Sequence, residues 1–154
     1  YHPEFDFFRR ECFGHDYGYF GPLLAPGASP EELRKIHQEK KTCYASYLKY
    51  AVKNEHLFRL IHLMRSEYHT ALVTAGSRAN STDILTRFGE QDSFDLYLTA
   101  ENVTKAKPDP QGFLKAMEYF NVTPEQTIVF EDSPTGIKAA QASGATLFVV
   151  EGFN

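Results

Sequence analysis

From about residue 54 to residue 150, segments of helical period alternate with short apolar runs, and that alternation leaves few folds open. Thr70-Ala71-Leu72-Val73-Thr74 is a buried strand ending in the turn Ala75-Gly76-Ser77, and a helix follows over about 78–88. Phe94 to Leu98 is a second strand. Asp109-Pro110 opens a helix to about 120, since aspartate caps and proline suits the first helical position. Thr123-Pro124 marks a brief turn, Thr127 to Phe130 a third strand, and Ser133 to Ser143 a helix stopped by Gly144. Thr146 to Val150 is the last strand. Strands this short, joined by helices through short connections, predict a doubly wound parallel α/β sheet with helices on both faces.

Ahead of this region the pattern changes. Residues 1–28 are rich in aromatics and interrupted by glycine and proline, and they predict a short helix near 3–12 followed by a loop. Ser29-Pro30-Glu31-Glu32 combines a capping serine, a proline at the first helical position and a glutamate three residues after the cap. Leu33, Ile36, Cys43, Tyr44, Tyr47 and Leu48 then recur at near-helical spacing, which extends the helix to about residue 50 and sets Cys43 on its packed face. A further amphipathic helix over about 54–67 carries Leu57, Leu60, Ile61 and Met64 on one side.

Bulk properties narrow the classes of partner. The 154 residues fit one domain, or one domain with a small insertion, and the net charge of −4 disfavours nucleic acid or an anionic membrane as partner. No apolar run approaches the roughly 20 residues that cross a bilayer, and no leader pattern signals secretion. Cys12 and Cys43 are far apart, so a cytoplasmic protein with reduced thiols is expected. The six histidines show no metal-ligand spacing and are expected to be surface or hydrogen-bonded residues.

In parallel α/β sheets ligands gather beyond the carboxyl ends of the strands, and three places there hold polar chemistry. Thr74 with the N–H groups after it can cradle a phosphate, or it can simply cap the next helix. Lys107, between Lys105-Ala106 and Pro108-Asp109-Pro110, can meet a phosphate as a point charge, or it can be a solvated loop lysine. Glu131 and Asp132 stand where a strand ends and a helix begins. Hard oxygens of that kind suit Mg²⁺, although an acidic helix N-terminus is also favoured by the helix dipole.

Ala-Leu-Val-Thr74-Ala, then Lys107-Pro-Asp-Pro, then Val-Phe-Glu131-Asp132-Ser-Pro-Thr-Gly-Ile resembles the haloacid dehalogenase superfamily, nearest its subgroup of β-phosphoglucomutase and small sugar-phosphate phosphatases. The resemblance covers about residues 50–150. It implies a core over 51–154 and a portion of a helical cap over 1–50. It implies that Thr74 and the Ala75 N–H hold the transferring phosphoryl group, that Lys107 neutralises its charge, and that Glu131 and Asp132 hold Mg²⁺. The substrate class implied is a small phosphorylated metabolite. The family's first motif, Asp-x-Asp, supplies the nucleophile that forms an aspartyl-phosphate, and it occurs nowhere in these residues; Asp6, in Phe5-Asp6-Phe7, is no substitute. Its strand belongs at the sheet centre, between the strands ending at Thr74 and Glu131. The expectation is therefore an N-terminally incomplete chain, inactive alone, with an unfilled position between two strands. A catalytically inactive phosphate- and metal-binding module and a dehalogenase are the alternatives. Of these, the Glu131-Asp132 pair favours phosphoryl chemistry.

Overall fold

The computed structural model describes residues 4–15 and 17–151. The chain opens with a helical segment, α1 (Phe5–Phe7), continued as π-helix over Phe8–Cys12. Then come α2 (Tyr17–Leu24) and the long α3 (Pro30–Tyr47), closed by a 3₁₀ turn over Leu48–Tyr50. The remainder alternates as expected. Its elements are α4 (Glu55–Met64), β1 (Ala71–Val73), α5 (Arg78–Phe88), β2 (Leu96–Leu98), α6 (Gln111–Phe120), β3 (Ile128–Glu131), α7 (Pro134–Ser143) and β4 (Thr146–Val149).

Local chemistry explains most of the boundaries. Ser29 caps α3 through a full capping box: its hydroxyl accepts from the Glu32 N–H, and the Glu32 carboxylate accepts from the Ser29 N–H at 2.7 Å. Asn54 caps α4 and Ser77 caps α5, each side chain accepting from the N–H three residues on. Gly89 and Gly144 end α5 and α7 in the left-handed region that glycine tolerates. Helix α6 begins later than the Asp109 cap predicts. The Asp109 carboxylate accepts from the Gln111 N–H at 3.0 Å, and Pro110 is the last residue before the helix.

Two expectations need correction. Residues 17–24 are helical, not loop. Two glycines and Pro22 give that segment poor intrinsic propensity, so tertiary contacts hold it: the Tyr17 hydroxyl donates to the Leu33 carbonyl at 2.9 Å, and its ring lies 4.3 Å from that of His37. Cys43 is exposed on α3, not packed. The part of the predicted first helix at residue 3, and His2, lie outside the described residues.

The strands form two parallel pairs. β1 runs beside β2 with Ala71 opposite Leu96 and Val73 opposite Leu98, and β3 runs beside β4 with Ile128 opposite Thr146 and Glu131 opposite Val149. Among the described residues no ladder joins β1 to β3. Helix packing connects the pairs instead. Phe113 and Met117 of α6, Ala139 and Ala140 of α7 and Val129 of β3 form the buried cluster, and Val73 of β1 and Leu147 of β4 pack on it. The opposite face of the β3–β4 pair, bearing Ile128, Phe130 and Phe148, is exposed among the described residues.

Met117 sits at the centre of this cluster, so Met117→Ala is expected to cost about 2–4 kcal/mol, from lost transfer energy and the cavity left behind. A urea titration comparing the two proteins checks it; an unchanged midpoint would show that the cluster does not hold the two strand pairs together.

Candidate active site

Thr74 follows β1 directly, and its backbone N–H donates to the Leu98 carbonyl, which extends the β1–β2 ladder by one residue. Its hydroxyl oxygen accepts from the Gly76 N–H at 3.0 Å, which curls the chain over the strand end. The capping of α5 falls to Ser77, so the simpler role open to Thr74 is already taken. Ala75, the residue between, is exposed at the mouth of this turn.

Lys107 spans the two strand pairs. Its ammonium donates to the Val73 carbonyl at the end of β1, at 3.1 Å, and to Oε1 of Glu131 at the end of β3. The Phe113 ring lies 4.9 Å from Nζ and adds a cation–π contact that helps keep the charge in place. A solvated loop lysine would make none of these contacts.

Glu131 is 8% exposed, because β3 alternates and places Val129 and Glu131 on the inward face. With Oε1 facing Lys107, its Oε2 accepts from the Asp132 N–H at 2.7 Å and the Ser133 N–H at 3.1 Å. Burial pushes its pKa up, but the Lys107 charge and these hydrogen bonds outweigh it and hold the carboxyl below its usual range. Asp132 lies on the exposed rim with its carboxyl pushed up, through desolvation by its neighbours and the Glu131 charge beside it.

Sequence reasoning missed three participants. Ser133 caps α7 by accepting from the Gly136 N–H at 3.0 Å. A Cβ at Gly136 would lie 1.8 Å from Glu131 Oε1, so only glycine leaves room for the carboxylate over the helix start. A glycine in the first turn of a helix is itself a readable sign of such a close approach. The Thr135 hydroxyl donates to the Gly14 carbonyl at 2.7 Å, and this bond brings the N-terminal region against the residues that follow the acidic pair. Nothing in the spacing of Gly14 and Thr135 signals that contact.

Beyond the carboxyl ends of β1 and β3 there is thus one ammonium, one hydroxyl with free-standing turn geometry, and two carboxylates. Glu131 Oε2 already accepts from the Asp132 N–H, the Ser133 N–H and the Ser133 hydroxyl, so only Oε1, beside Lys107, has a lone pair left to offer, while Asp132 is exposed. These hard oxygens fit Mg²⁺, which takes one or two protein carboxylates and fills its octahedron with water and substrate oxygens. Among the described residues no cluster of three or more metal-ligating side chains occurs, so the pair would serve only such a shared site.

A family model described as haloacid dehalogenase-like hydrolase matches residues 24–150. The chain is 39% identical over 95 residues to validoxylamine A 7'-phosphate phosphatase of Streptomyces hygroscopicus, covering 61% of this chain and 45% of that protein. It is 31% identical over 112 residues to a phosphorylated carbohydrates phosphatase of Thermotoga maritima, covering 72% of this chain and 50% of that protein. The chain thus spans about half the length of these relatives. In three dimensions it superposes on CbbY from Rhodobacter sphaeroides with a TM-score of 0.83 at 21% identity, over 99% of this chain and 72% of that one, a likeness of fold. No helix among the described residues is long and apolar enough to cross a membrane.

The charge pattern predicts opposite behaviour from the two carboxylates. Glu131, held low, contributes stability above its unfolded pKa, and that stability is lost as pH falls through the folded value. Asp132, pushed up, does the reverse: its ionised form opposes folding. Asp132→Asn is expected to raise the thermal midpoint at pH 7 by about 1–3 °C, kept small by solvent at the rim, and the gain should vanish near pH 3. Scanning calorimetry at both pH values checks this, and a lower midpoint at pH 7 would contradict the assigned repulsion.

Proposed function

The chain belongs to the haloacid dehalogenase-like hydrolase family, and on that premise we propose that it carries the phosphate- and metal-binding part of a Mg²⁺-dependent phosphoryl-transfer hydrolase acting on a small phosphorylated metabolite. The observation that supports this most is Lys107, a cation held across the ends of β1 and β3, beside the turn of Thr74 and touching Glu131. Phosphoryl transfer requires little covalent work from the protein beyond the nucleophile; positioning and charge stabilisation do the rest. The activities of the relatives, on validoxylamine A 7'-phosphate and on phosphorylated carbohydrates, support a sugar-like phosphate ester as substrate class.

In this reading Thr74 donates its hydroxyl hydrogen to a phosphoryl oxygen, and the exposed Ala75 N–H supplies a second donor at the same turn. Lys107 neutralises the spreading negative charge while Glu131, buried and ionised, keeps the ammonium aimed. Glu131 and Asp132 would hold Mg²⁺, directly or through water. Bound there, the ion would supply charge neutralisation for phosphoryl oxygens. The aspartate that attacks phosphorus to give an aspartyl-phosphate is assigned to residues other than those of this chain, which contain no Asp-x-Asp. Residues 1–50 are read as part of a helical cap and 51–154 as the core. A cytoplasmic location accompanies this reading, supported by the free thiols of Cys12 and Cys43.

Two measurements test it. In a full-length protein carrying the nucleophile, Lys107→Ala is expected to lower kcat/KM for a sugar phosphate by about 10²–10³, the scale of losing one charge stabiliser; unchanged turnover would remove Lys107 from the site. Titration of Mg²⁺ into the same protein and its Asp132→Ala variant should show at least about tenfold weaker binding in the variant. Equal affinity would sink Asp132 as a ligand.

A further inference from the structure

Glu90 is the most deeply buried carboxylate among the described residues, at 4% exposed, and the phosphoryl chemistry does not use it. It follows Gly89, whose left-handed conformation (φ 69°) ends α5 and turns the chain inward, and its own N–H donates to the Leu85 carbonyl at 2.8 Å. Its carboxylate is held by three polar side chains. Lys53 donates to Oε1 at 3.0 Å; His62 Nε2 lies 2.8 Å from Oε2, and the Ser93 hydroxyl donates to the same oxygen. Burial alone would raise this carboxyl's pKa, but the bonds from Ser93, Lys53 and His62 hold it below the usual range, so it is a charged group inside the fold.

The partner that gives this cluster a purpose is Lys53. It lies in residues 48–54, the connector between α3 and α4 and so between the N-terminal helices and the α/β region. That connector has little hydrophobic anchorage: Tyr50 is 69% exposed and Val52 81%, and Leu48 and Ala51 are only half-buried. Polar contacts hold it to the end of α5. Arg87 donates to the Lys49 carbonyl at 3.1 Å, and three to four residues on Lys53 reaches Glu90, with Glu55 at 3.0 Å and the Phe58 ring 5.6 Å away as the ammonium's other partners. With few apolar contacts to lose, such a segment opens at a local free-energy cost set largely by these bonds.

We propose that Glu90 is a clamp that fastens the 48–54 connector to the end of α5 and thereby fixes how the N-terminal helices sit on the α/β region. The far end of those helices touches the candidate site through the Gly14–Thr135 bond, so the clamp and that bond are two separated anchors of one helical unit. His62 and Ser93 brace the carboxylate from the α4 and post-α5 sides, leaving Oε1 for the connector lysine. The clamp does not depend on the phosphoryl-transfer reading, because none of its groups belongs to that site.

Hydrogen exchange on this chain tests it directly. Glu90→Gln, which keeps shape and removes charge, is expected to speed exchange over 48–54 by about tenfold or more while β1 and β3 amides stay within about twofold. Lys53→Met, which leaves Glu90 with His62 and Ser93, should do the same, and the double variant should add little to either single one. Exchange over 48–54 that is unchanged, or that rises only in step with β1 and β3, would overturn the clamp and leave Glu90 as a general stabilising group. Should Glu90→Gln not fold, Lys53→Met decides the question alone. Lys107→Ala in this chain is expected to leave exchange at 48–54 unchanged, and exchange there as fast as in Glu90→Gln would overturn the clamp as a device separate from the phosphate site.

Discussion

Much of this structure turns on the ion pair of Lys107 and Glu131. The two strand pairs share no ladder among the described residues, so they rely on the α6–α7 cluster behind them and on this lysine at their carboxyl ends. Buried ion pairs seldom add net stability over apolar replacements, since desolvation offsets most of the attraction. Removing one member is different: it strands a buried charge, at a cost of about 3–5 kcal/mol. Here the satisfied state is unusually complete, because Glu131 also accepts two backbone N–H groups and Lys107 also faces a carbonyl and an aromatic ring. Each member is thus tied by several bonds at once, as the proposed positioning of a phosphoryl group would require.

The neighbouring Asp132 shows the cost of that arrangement. A second carboxylate beside an ionised, buried one has no structural reason to be acidic, and its raised pKa says that the fold disfavours its charge. The proposed Mg²⁺ would relieve this repulsion. The same logic sets the places of the two residues. β3 alternates, so Glu131 shares the inward face of Val129 and belongs to the core, while Asp132, one residue on, is left at the rim. A one-residue slip in β3 would turn Glu131 outward and bring Phe130 in, so the pairing of Val129 with Leu147 fixes the chemistry as well as the packing.

How much of this was legible in the sequence follows from which forces are local. The strands, α3 to α7, the Ser29 cap and the Gly144 stop are readable, because apolar periodicity and the Ser, Pro and Gly signals act within a few residues. Thr74, Lys107, Glu131 and Asp132 are legible as strand-end residues, and the fold does bring the lysine onto both strand ends. Helix α2 is not legible, since its glycines and proline argue against a helix and what opposes them is tertiary: the Tyr17–Leu33 and Tyr17–His37 contacts, the Tyr19–Glu11 bond and the buried Phe20 beneath Lys40. Cys43 misleads for the opposite reason: helical spacing says which side of α3 it occupies, but not whether anything packs there. Glu90 is invisible because a lone acid after a glycine looks like any loop residue, and its partners come from 37, 28 and 3 residues away.

These scattered partners point to a division of labour between forces. Apolar burial among the described residues divides between the α6–α7 cluster, where Ala139 and Ala140 are wholly covered, and a few residues of the N-terminal helices such as Phe20 and Ala25, while Ile128, Phe130 and Phe148 across the β3–β4 pair contribute little. Non-directional burial of that extent can hold α6, α7 and the strands together, but it cannot set the angle of α3 or the aim of a lysine. Charged hydrogen bonds do that, and they occur at the two places where separate parts of the chain must meet at a defined geometry. Lys107 and Glu131 join the strand pairs, and Lys53 and Glu90 join the connector to α5. Geometry there is specified by directional bonds whose net energy is small, so a change of charge at either place should disturb orientation before it disturbs the fold.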